Sequence, residues 1–175
     1  MAMMINSSQG FAEAVEDCPF CSIPANRIIA ENETAFAVYD AFPVTPGHTL
    51  IITRRHVQDY FSLTEKEVED CDALLREMRE QILKTDEGVK GFNIGANCGE
   101  TAGQTVDHFH MHLIPRKDGD VDSPRGGIRN IFPGKGDYWM SRKFIAKDPE
   151  LEDFWRGIIL YGRNVASYKF ALAKA

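Results

Sequence analysis

Three histidines alternate with large apolar residues in the second half of the 175-residue chain: His108, Phe109, His110, Met111 and His112 follow one another. Successive side chains of a β-strand point to opposite faces, so the three imidazoles are predicted to share one face at steps of about 6.6 Å. The apolar residues between them then point into the core. Three polar rings on a packed face are costly without partners, which disfavours a purely structural role.

Two chemical roles remain open for such a strand. Alternate histidines can converge on one metal ion that keeps an open position for water. Alternatively, one neutral imidazole, with a pKa of about 6.5, attacks an α-phosphorus and forms a phosphoramidate. A polar, glycine-containing stretch precedes the strand, and glycines allow close backbone approach while amides and hydroxyls donate to anions. This stretch favours phosphate chemistry.

The surrounding pattern predicts an antiparallel meander beside one long helix. The helix begins after Thr64, which forms a capping box with Glu67, and apolar residues then recur at steps of three and four. Its predicted buried face consists of Val68, Cys71, Leu75, Met78 and Ile82. The predicted strands cover residues 27–31, 34–40, 49–53, 92–96 and 106–114. Pro115 is expected to stop the last strand.

Charge and hydropathy exclude several classes of protein. Twenty Lys and Arg against 26 Asp and Glu give a net charge of −6, whereas non-specific nucleic-acid binding needs a basic surface. No apolar run approaches the roughly 20 residues that cross a bilayer, and the first residues lack a secretory signal pattern. We expect a soluble, cytoplasmic protein that binds neither nucleic acid nor membranes.

Four cysteines require an explanation: Cys18 and Cys21 form a CxxC pair, while Cys71 and Cys98 stand alone. Thiols stay reduced in the cytoplasm, so disulfides are the weaker interpretation. The pair then suits metal binding, redox chemistry or packing. Cys71 lies on the apolar face of the predicted helix and is expected to be a small core residue.

Residues 103–114, GQTVDHFHMHLI, resemble the histidine-triad (HIT) nucleotide-binding signature. The upstream segments FAVYD (36–40), PGHTLII (46–52) and RH (55–56) are similar to the first half of that family. The resemblance implies an α+β fold, with an antiparallel sheet of about five strands, a long helix and typically a dimer. It also implies nucleotide substrates, which in the family include dinucleoside polyphosphates and nucleoside phosphoramidates.

The same resemblance implies roles for individual residues. His110 would be the nucleophile that takes up a nucleotidyl group, and His112 would contact phosphate and the leaving group. Asp40 falls where the family holds the ribose, and His48 falls where it places a supporting histidine. The residues expected to line the phosphate path are Asn97, Gln104 and Thr105.

Some members of the family carry a structural zinc at positions matching Cys18, Cys21, His56 and His108. Such a closed Cys₂His₂ set would give His108 a task separate from that of His110. A redox role for the CxxC pair remains the alternative, and it would require an exposed thiolate of low pKa.

Four segments are predicted: a flexible lead (1–17), the HIT domain (18–116), a basic Gly/Pro-rich loop (117–147) and a C-terminal helix (148–175). From residue 116 to 147, eight Lys and Arg face four Asp, so this region either clamps a polyphosphate or is merely solvated. The helix carries an aromatic, apolar stripe that needs a sheet or a partner chain to cover it, which favours a homodimer.

The leading functional hypothesis is a hydrolase that cleaves diadenosine tri- or tetraphosphate, or a related adenylated compound, through a nucleotidyl-His110 intermediate. A phosphorylase that uses phosphate as the acceptor is a close alternative. A nucleotide-binding scaffold protein and a metallohydrolase that uses the histidines as ligands are the two hypotheses from other classes.

Overall fold

A computed structural model describes residue 15 and residues 17–136, and five strands form one antiparallel sheet within them. The strands are β1 (Ile28–Glu31), β2 (Ala35–Tyr39), β3 (Thr49–Thr53), β4 (Val89–Gly95) and β5 (His110–Lys117). Their order in the sheet is β1-β2-β3-β5-β4. The predicted α+β fold with about five antiparallel strands is confirmed. The C-terminal helix predicted over 148–175 and nearly all of the predicted lead lie outside the described residues.

The long helix α1 (Glu65–Thr85) begins as its capping box predicts. The Thr64 hydroxyl accepts a hydrogen bond from the Glu67 backbone N–H, and the Glu67 carboxylate accepts one from the Thr64 N–H at 2.8 Å. The buried row of apolar residues is Cys71, Leu74, Met78 and Ile82. Leu74 therefore takes the place predicted for Leu75, which is only half-buried. Glu67 is also buried, so the first turn of the helix holds a charged residue that is shielded from solvent.

The two faces of the sheet carry different apolar clusters. The face covered by α1 includes the small residues Ala35 and Ala37, which let the helix approach closely, together with Ile51 and Leu113. The other face holds a second cluster, packed against Phe20, Ile23 and Ile28, that consists of Phe36, Val38, Leu50 and Ile52. The site described below lies on this second face.

Strand β5 differs from its prediction at both ends. It begins at His110 rather than at residue 106, because the Phe109 N–H donates to the Val57 carbonyl at 2.6 Å, outside the sheet ladder. His108 therefore precedes the strand, and the prediction that all three histidines belong to the strand is wrong for His108. Pro115 does not end the strand. The pairing with β3 stops at Leu113, so at Pro115 strand β5 pairs with β4 alone. A missing N–H is tolerated there because no strand among the described residues lies on the other side.

Strand β4 begins at Val89, three residues before the predicted start. Gly91 lies inside this strand, and the register with β5 shifts between Val89 and Gly91. The chain divides into two compact units, one of which ends at Asp120 and the other of which begins at Val121. In the second unit, residues 121–136 contain one short 3-10 turn, Gly127–Ile131. No helix in the described ranges is long and apolar enough to cross a bilayer.

Candidate active site and metal centre

Two of the three histidines of the motif lie side by side on the sheet face opposite α1. His110 pairs with Ile52 and His112 pairs with Leu50 on β3, and directly opposed residues of antiparallel strands share a face. Their ring centroids are 5.1 Å apart. The ring of Phe20 packs edge-on against His110 with centroids 5.0 Å apart. His110 is only 6% exposed, so its ring is held on several sides.

The tautomer of His110 follows from its backbone contact. Its Nδ1 lies 2.8 Å from the carbonyl oxygen of His108. A carbonyl oxygen only accepts, so Nδ1 carries the proton and Nε2 keeps an unshared lone pair. This is the state that a nucleophilic imidazole requires.

His112 forms a hydrogen-bonded chain with His48 and the loop before β3. His48 Nε2 lies 3.0 Å from His112 Nδ1, while His48 Nδ1 lies 3.3 Å from the Val44 backbone nitrogen and 3.4 Å from Asp40 Oδ2. The Val44 N–H can only donate, so His48 Nδ1 is the acceptor and a neutral His48 carries its proton on Nε2. That proton is shared with His112 Nδ1. His112 then carries its own proton on Nε2 and can donate a hydrogen bond to an anion.

The surroundings of His48 and His112 keep both imidazoles neutral. Burial lowers the pKa of His112 to about 4, with the neighbouring His110 and His48 acting in the same direction. Burial also lowers the pKa of His48, against the opposing effect of Asp40. One atom each of Asp40, His48 and His112 lie within 4.8 Å of one another, as in a cation site. Since the two imidazoles share a proton, their facing nitrogens are not directed at a common ion.

A second group of four residues, which includes His108 of the motif, converges on a single point. One ligand atom from each lies within 4.8 Å of all the others, and the set is Cys18, Cys21, His56 and His108. Cys18 Sγ is 3.4 Å from His108 Nδ1, and Cys21 Sγ is 3.3 Å from His56 Nδ1 and 3.6 Å from His108 Nδ1. A tetrahedral zinc with ordinary Zn–S and Zn–N bonds gives sulfur–nitrogen edges of about 3.6 Å. The cluster is therefore compatible with zinc.

The orientation of His108 agrees with ligation. Its Nε2 donates to the Thr53 carbonyl at 2.9 Å, which leaves the Nδ1 lone pair facing the two sulfurs. Cys18 and Cys21 are free thiols, and the sulfurs of both lie beside His108 Nδ1. His108 thus belongs to two sites, since its ring faces the cysteines and its carbonyl orients His110.

The predicted phosphate-path residues lie on the loop between β4 and β5. Asn97 Nδ2 donates to the Gly103 carbonyl at 3.2 Å, and Thr105 is exposed. The amide of Gln104 is bonded to the backbone of Gly99, Gln58 and Val106. The Asn97 and Gln104 side chains therefore hold the loop together, whereas Thr105 is exposed to solvent.

Sequence reasoning missed several groups that shape the site. Phe20 was hidden inside the CxxC pair, although an aromatic between two clustered ligands could have suggested a wall of the site. The backbone groups of Val44, Thr53 and His108 carry no side-chain signal at all. They could be found only from the folded chain.

The HIT domain family matches residues 23–119, and the chain therefore belongs to this family. An uncharacterised HIT-like protein of Mycoplasma genitalium is 41% identical over 103 residues, 57% of this chain and 72% of that protein. The AP-4-A phosphorylase of Mycobacterium tuberculosis is 30% identical over 118 residues, 67% of this chain and 60% of that protein. The asymmetrical bis(5'-nucleosyl)-tetraphosphatase of Schizosaccharomyces pombe is 34% identical over 95 residues, 54% of this chain and 52% of that protein.

Solved structures show the same fold. A zinc-bound histidine triad family protein from Mycobacterium smegmatis superposes with a TM-score of 0.55 and 34% identity, covering 61% of this chain and 80% of that one. A HIT family protein from Bacillus anthracis gives a TM-score of 0.57 and 31% identity, covering 76% of this chain and 98% of that one. The relatives with assigned activities process nucleotides, which supports an enzymatic role for this chain in general terms.

Proposed function

We propose that the protein is a nucleotidyl hydrolase that cleaves a dinucleoside polyphosphate, first of all diadenosine tri- or tetraphosphate, or a related adenylated compound. The observation that carries this proposal is the hydrogen bond from His110 Nδ1 to the His108 carbonyl, which leaves Nε2 as a free nucleophile beside His112. The tetraphosphatase of Schizosaccharomyces pombe supports the choice of substrate class.

The chemistry proceeds in two displacements. His110 Nε2 attacks the α-phosphorus, a P–N bond forms, and the P–O bond to the remaining phosphate chain breaks. The leaving phosphate departs as an anion, so it needs a hydrogen bond from His112 Nε2–H rather than a full proton. Water then attacks the same phosphorus, the P–N bond breaks, and its electron pair returns to His110 as the water proton passes to solvent. The His108 carbonyl stabilises the charge that His110 carries between the steps.

The remaining predicted residues bind and orient the nucleotide in this proposal. Asp40 uses Oδ1 to accept a hydrogen bond from the Phe42 N–H at 2.8 Å, and its second oxygen is the acceptor proposed for a ribose hydroxyl. His48 holds His112 in the tautomer that donates to phosphate. Asn97, Gln104 and Thr105 belong to the loop proposed to border the phosphate path.

Phosphorolysis is the second candidate because the Mycobacterium tuberculosis relative is named a phosphorylase. In that case inorganic phosphate replaces water in the second displacement. Chromatography of the products from diadenosine tetraphosphate decides between them, since hydrolysis releases AMP with ATP and phosphorolysis releases ADP with ATP. Wild type and His110→Ala are compared with and without phosphate. Equal turnover by both proteins would overturn the role of His110.

We also propose that Cys18, Cys21, His56 and His108 bind one structural zinc per chain. The sulfur–nitrogen distances and the zinc-bound Mycobacterium smegmatis relative support this assignment. Four protein ligands leave no open position, so the metal would contribute folding free energy and would not activate water. Metal analysis of protein purified without chelators tests this, and protein without zinc would contradict it. A metallohydrolase would instead lose activity at once on addition of a chelator.

A cytoplasmic homodimer is the assembly proposed for this enzyme. Strand β4 lies at one edge of the sheet, and Ile94 on this strand is 45% exposed. An exposed strand edge offers unpaired backbone groups to a second copy. Sedimentation equilibrium tests the dimer. A monomer at micromolar concentration would contradict it and would leave the scaffold hypothesis to explain the aromatic stripe of the C-terminal segment.

A further inference from the structure

The side-chain amide of Gln104 makes three hydrogen bonds to the backbone of separate segments. Its Oε1 accepts from the Gly99 N–H at 2.7 Å, and its Nε2 donates to the carbonyls of Gln58 at 2.6 Å and Val106 at 3.1 Å. An N–H can only donate and a carbonyl can only accept, so these partners fix which way the amide faces. Both hydrogens of Nε2 are therefore engaged.

This arrangement conflicts with direct phosphate binding by Gln104. A phosphate oxygen accepts hydrogen bonds, so only Nε2 could serve it. The amide would have to give up one of its two carbonyl partners, and a carbonyl left without a donor loses the stabilisation of that bond. The residue type suggested a phosphate contact, whereas the observed hydrogen bonds connect separate backbone segments. We call this set of three hydrogen bonds the brace.

At one end the brace closes the loop between β4 and β5. The backbone N–H of Gln104 also donates to the Gly99 carbonyl at 3.2 Å, so the two residues are joined by both backbone and side chain. Asn97 Nδ2 adds a second bond across the loop to the Gly103 carbonyl. Gly99 and Gly103 have φ of 88° and 90°, a conformation that side chains disfavour, so the loop shape is strongly specified.

At the other end the brace reaches the segment that carries a proposed metal ligand. Gln58 follows His56 by two residues, and the carbonyl of the intervening Val57 accepts from the Phe109 N–H at 2.6 Å. The segment from His56 to Gln58 is therefore held by Phe109 on one side and by Gln104 on the other. Gln104 thus joins the β4–β5 loop to this segment through the hydrogen bonds of its side-chain amide.

We propose that Gln104 is a positioning residue that locks the β4–β5 loop against the His56–Gln58 segment, so that the loop backbone is set for a nucleotide phosphate before the nucleotide binds. Its amide does not touch the phosphate. This inference rests on the proposed function, since it takes a nucleotide phosphate to bind beside His110. A loop ordered in advance avoids the entropy cost of ordering it on binding.

The first test is an NMR titration of the full-length, metal-loaded protein with AMP. The Gln104 side-chain NH₂ should exchange more slowly with solvent than that of the exposed Gln58, and AMP should leave its resonances in place while those of His110 and His112 move. Gln104 resonances that move as much as those of the histidines would show a direct contact and overturn the proposal. If no resonance moves, both the proposed function and this inference fail.

The second test removes the amide. In Gln104→Leu three hydrogen bonds are lost, so exchange of the Gly99 backbone amide should accelerate about tenfold or more. The affinity for AMP and kcat/KM should fall by a similar factor, because the loop must then be ordered on binding. Thr101→Ala, an exposed change in the same loop, is the matched control and should resemble wild type. If the leucine variant does not fold, Gln104→Glu is measured in its place. It keeps the acceptor for Gly99, so Gly99 exchange should stay slow, whereas the lost donors to Gln58 and Val106 should speed exchange of the Phe109 amide that is bonded to Val57. Unchanged Gly99 exchange in Gln104→Leu, unchanged Phe109 exchange in Gln104→Glu, or faster exchange with unchanged affinity for AMP would overturn the brace.

Discussion

Glu67 has two structural tasks, and removing its charge should weaken both. Its carboxylate receives two hydrogen bonds from Arg55, at 2.9 and 2.7 Å, and also accepts from the backbone and hydroxyl of Thr64. Burial opposes the ionised form, yet Arg55 and Thr64 together hold the pKa of Glu67 below its usual value. The pair ties the start of α1 to the segment that continues into His56.

The cost of Glu67→Gln follows from the exposure of the two partners. Breaking a fully buried ion pair costs about 3–5 kcal/mol, because one charge is left unpaired. The Glu67 side chain is 5% exposed but that of Arg55 is 40% exposed, so water can solvate the freed guanidinium. We therefore expect a loss of about 2 kcal/mol of unfolding free energy, including part of the capping box. For a protein of this size the melting temperature should fall by about 4–8 °C.

Urea and thermal unfolding of metal-loaded protein at neutral pH measure this change, with Glu69→Gln on the exposed face of α1 as the control. The Glu67 pKa is lowered on folding, so its contribution is present above the unfolded pKa of about 4.3 and is lost as pH falls through the folded pKa. The difference between wild type and Glu67→Gln should therefore shrink in acid. A loss within 0.5 kcal/mol of the control (about the size of an ordinary surface change) would refute the reasoning.

Three further predictions concern the site and its surroundings. In the protein without nucleotide the pKa of His112 is low, at about 4, and a bound anion should raise it. Binding of AMP should therefore be accompanied by proton uptake as the pH falls towards 5. Calorimetry in buffers of different ionisation enthalpy should detect this uptake, and buffer-independent heats would contradict it. Cys21→Ser should lower zinc content and melting temperature, and a variant that melts like wild type would count against the metal centre. If the basic loop clamps a polyphosphate, Arg125→Ala and Arg129→Ala should raise KM with kcat retained, and unchanged kinetics would remove the clamp.

Local signals in the sequence were sufficient where the partners are close in the chain. Strand Thr49–Thr53 and the Thr64 capping box both match their predictions because alternation and capping depend on neighbouring residues. The predicted start of β5 was wrong because the Phe109 N–H donates to the carbonyl of Val57, more than 50 residues earlier in the chain. No pattern around position 109 contains that partner.

The site shows the same division between local and distant information. The motif suggested His110 as a nucleophile, but its tautomer depends on the His108 carbonyl, a backbone group that every residue carries. The identity of Gln104 suggested a phosphate donor, whereas the carbonyls that occupy its amide belong to Gln58 and Val106. Residue type predicts which chemistry is available, and the folded backbone decides where it is used.

The covalent intermediate on His110 is the central claim, and trapping it is the most direct test. Wild-type protein is mixed with diadenosine tetraphosphate, quenched within one turnover and digested for mass spectrometry under conditions that preserve phosphoramidates. We predict one nucleotidyl group on the peptide that contains His110, and none in His110→Ala. Full turnover by wild type with no labelled peptide at any quench time, or equal turnover by His110→Ala, would contradict the mechanism.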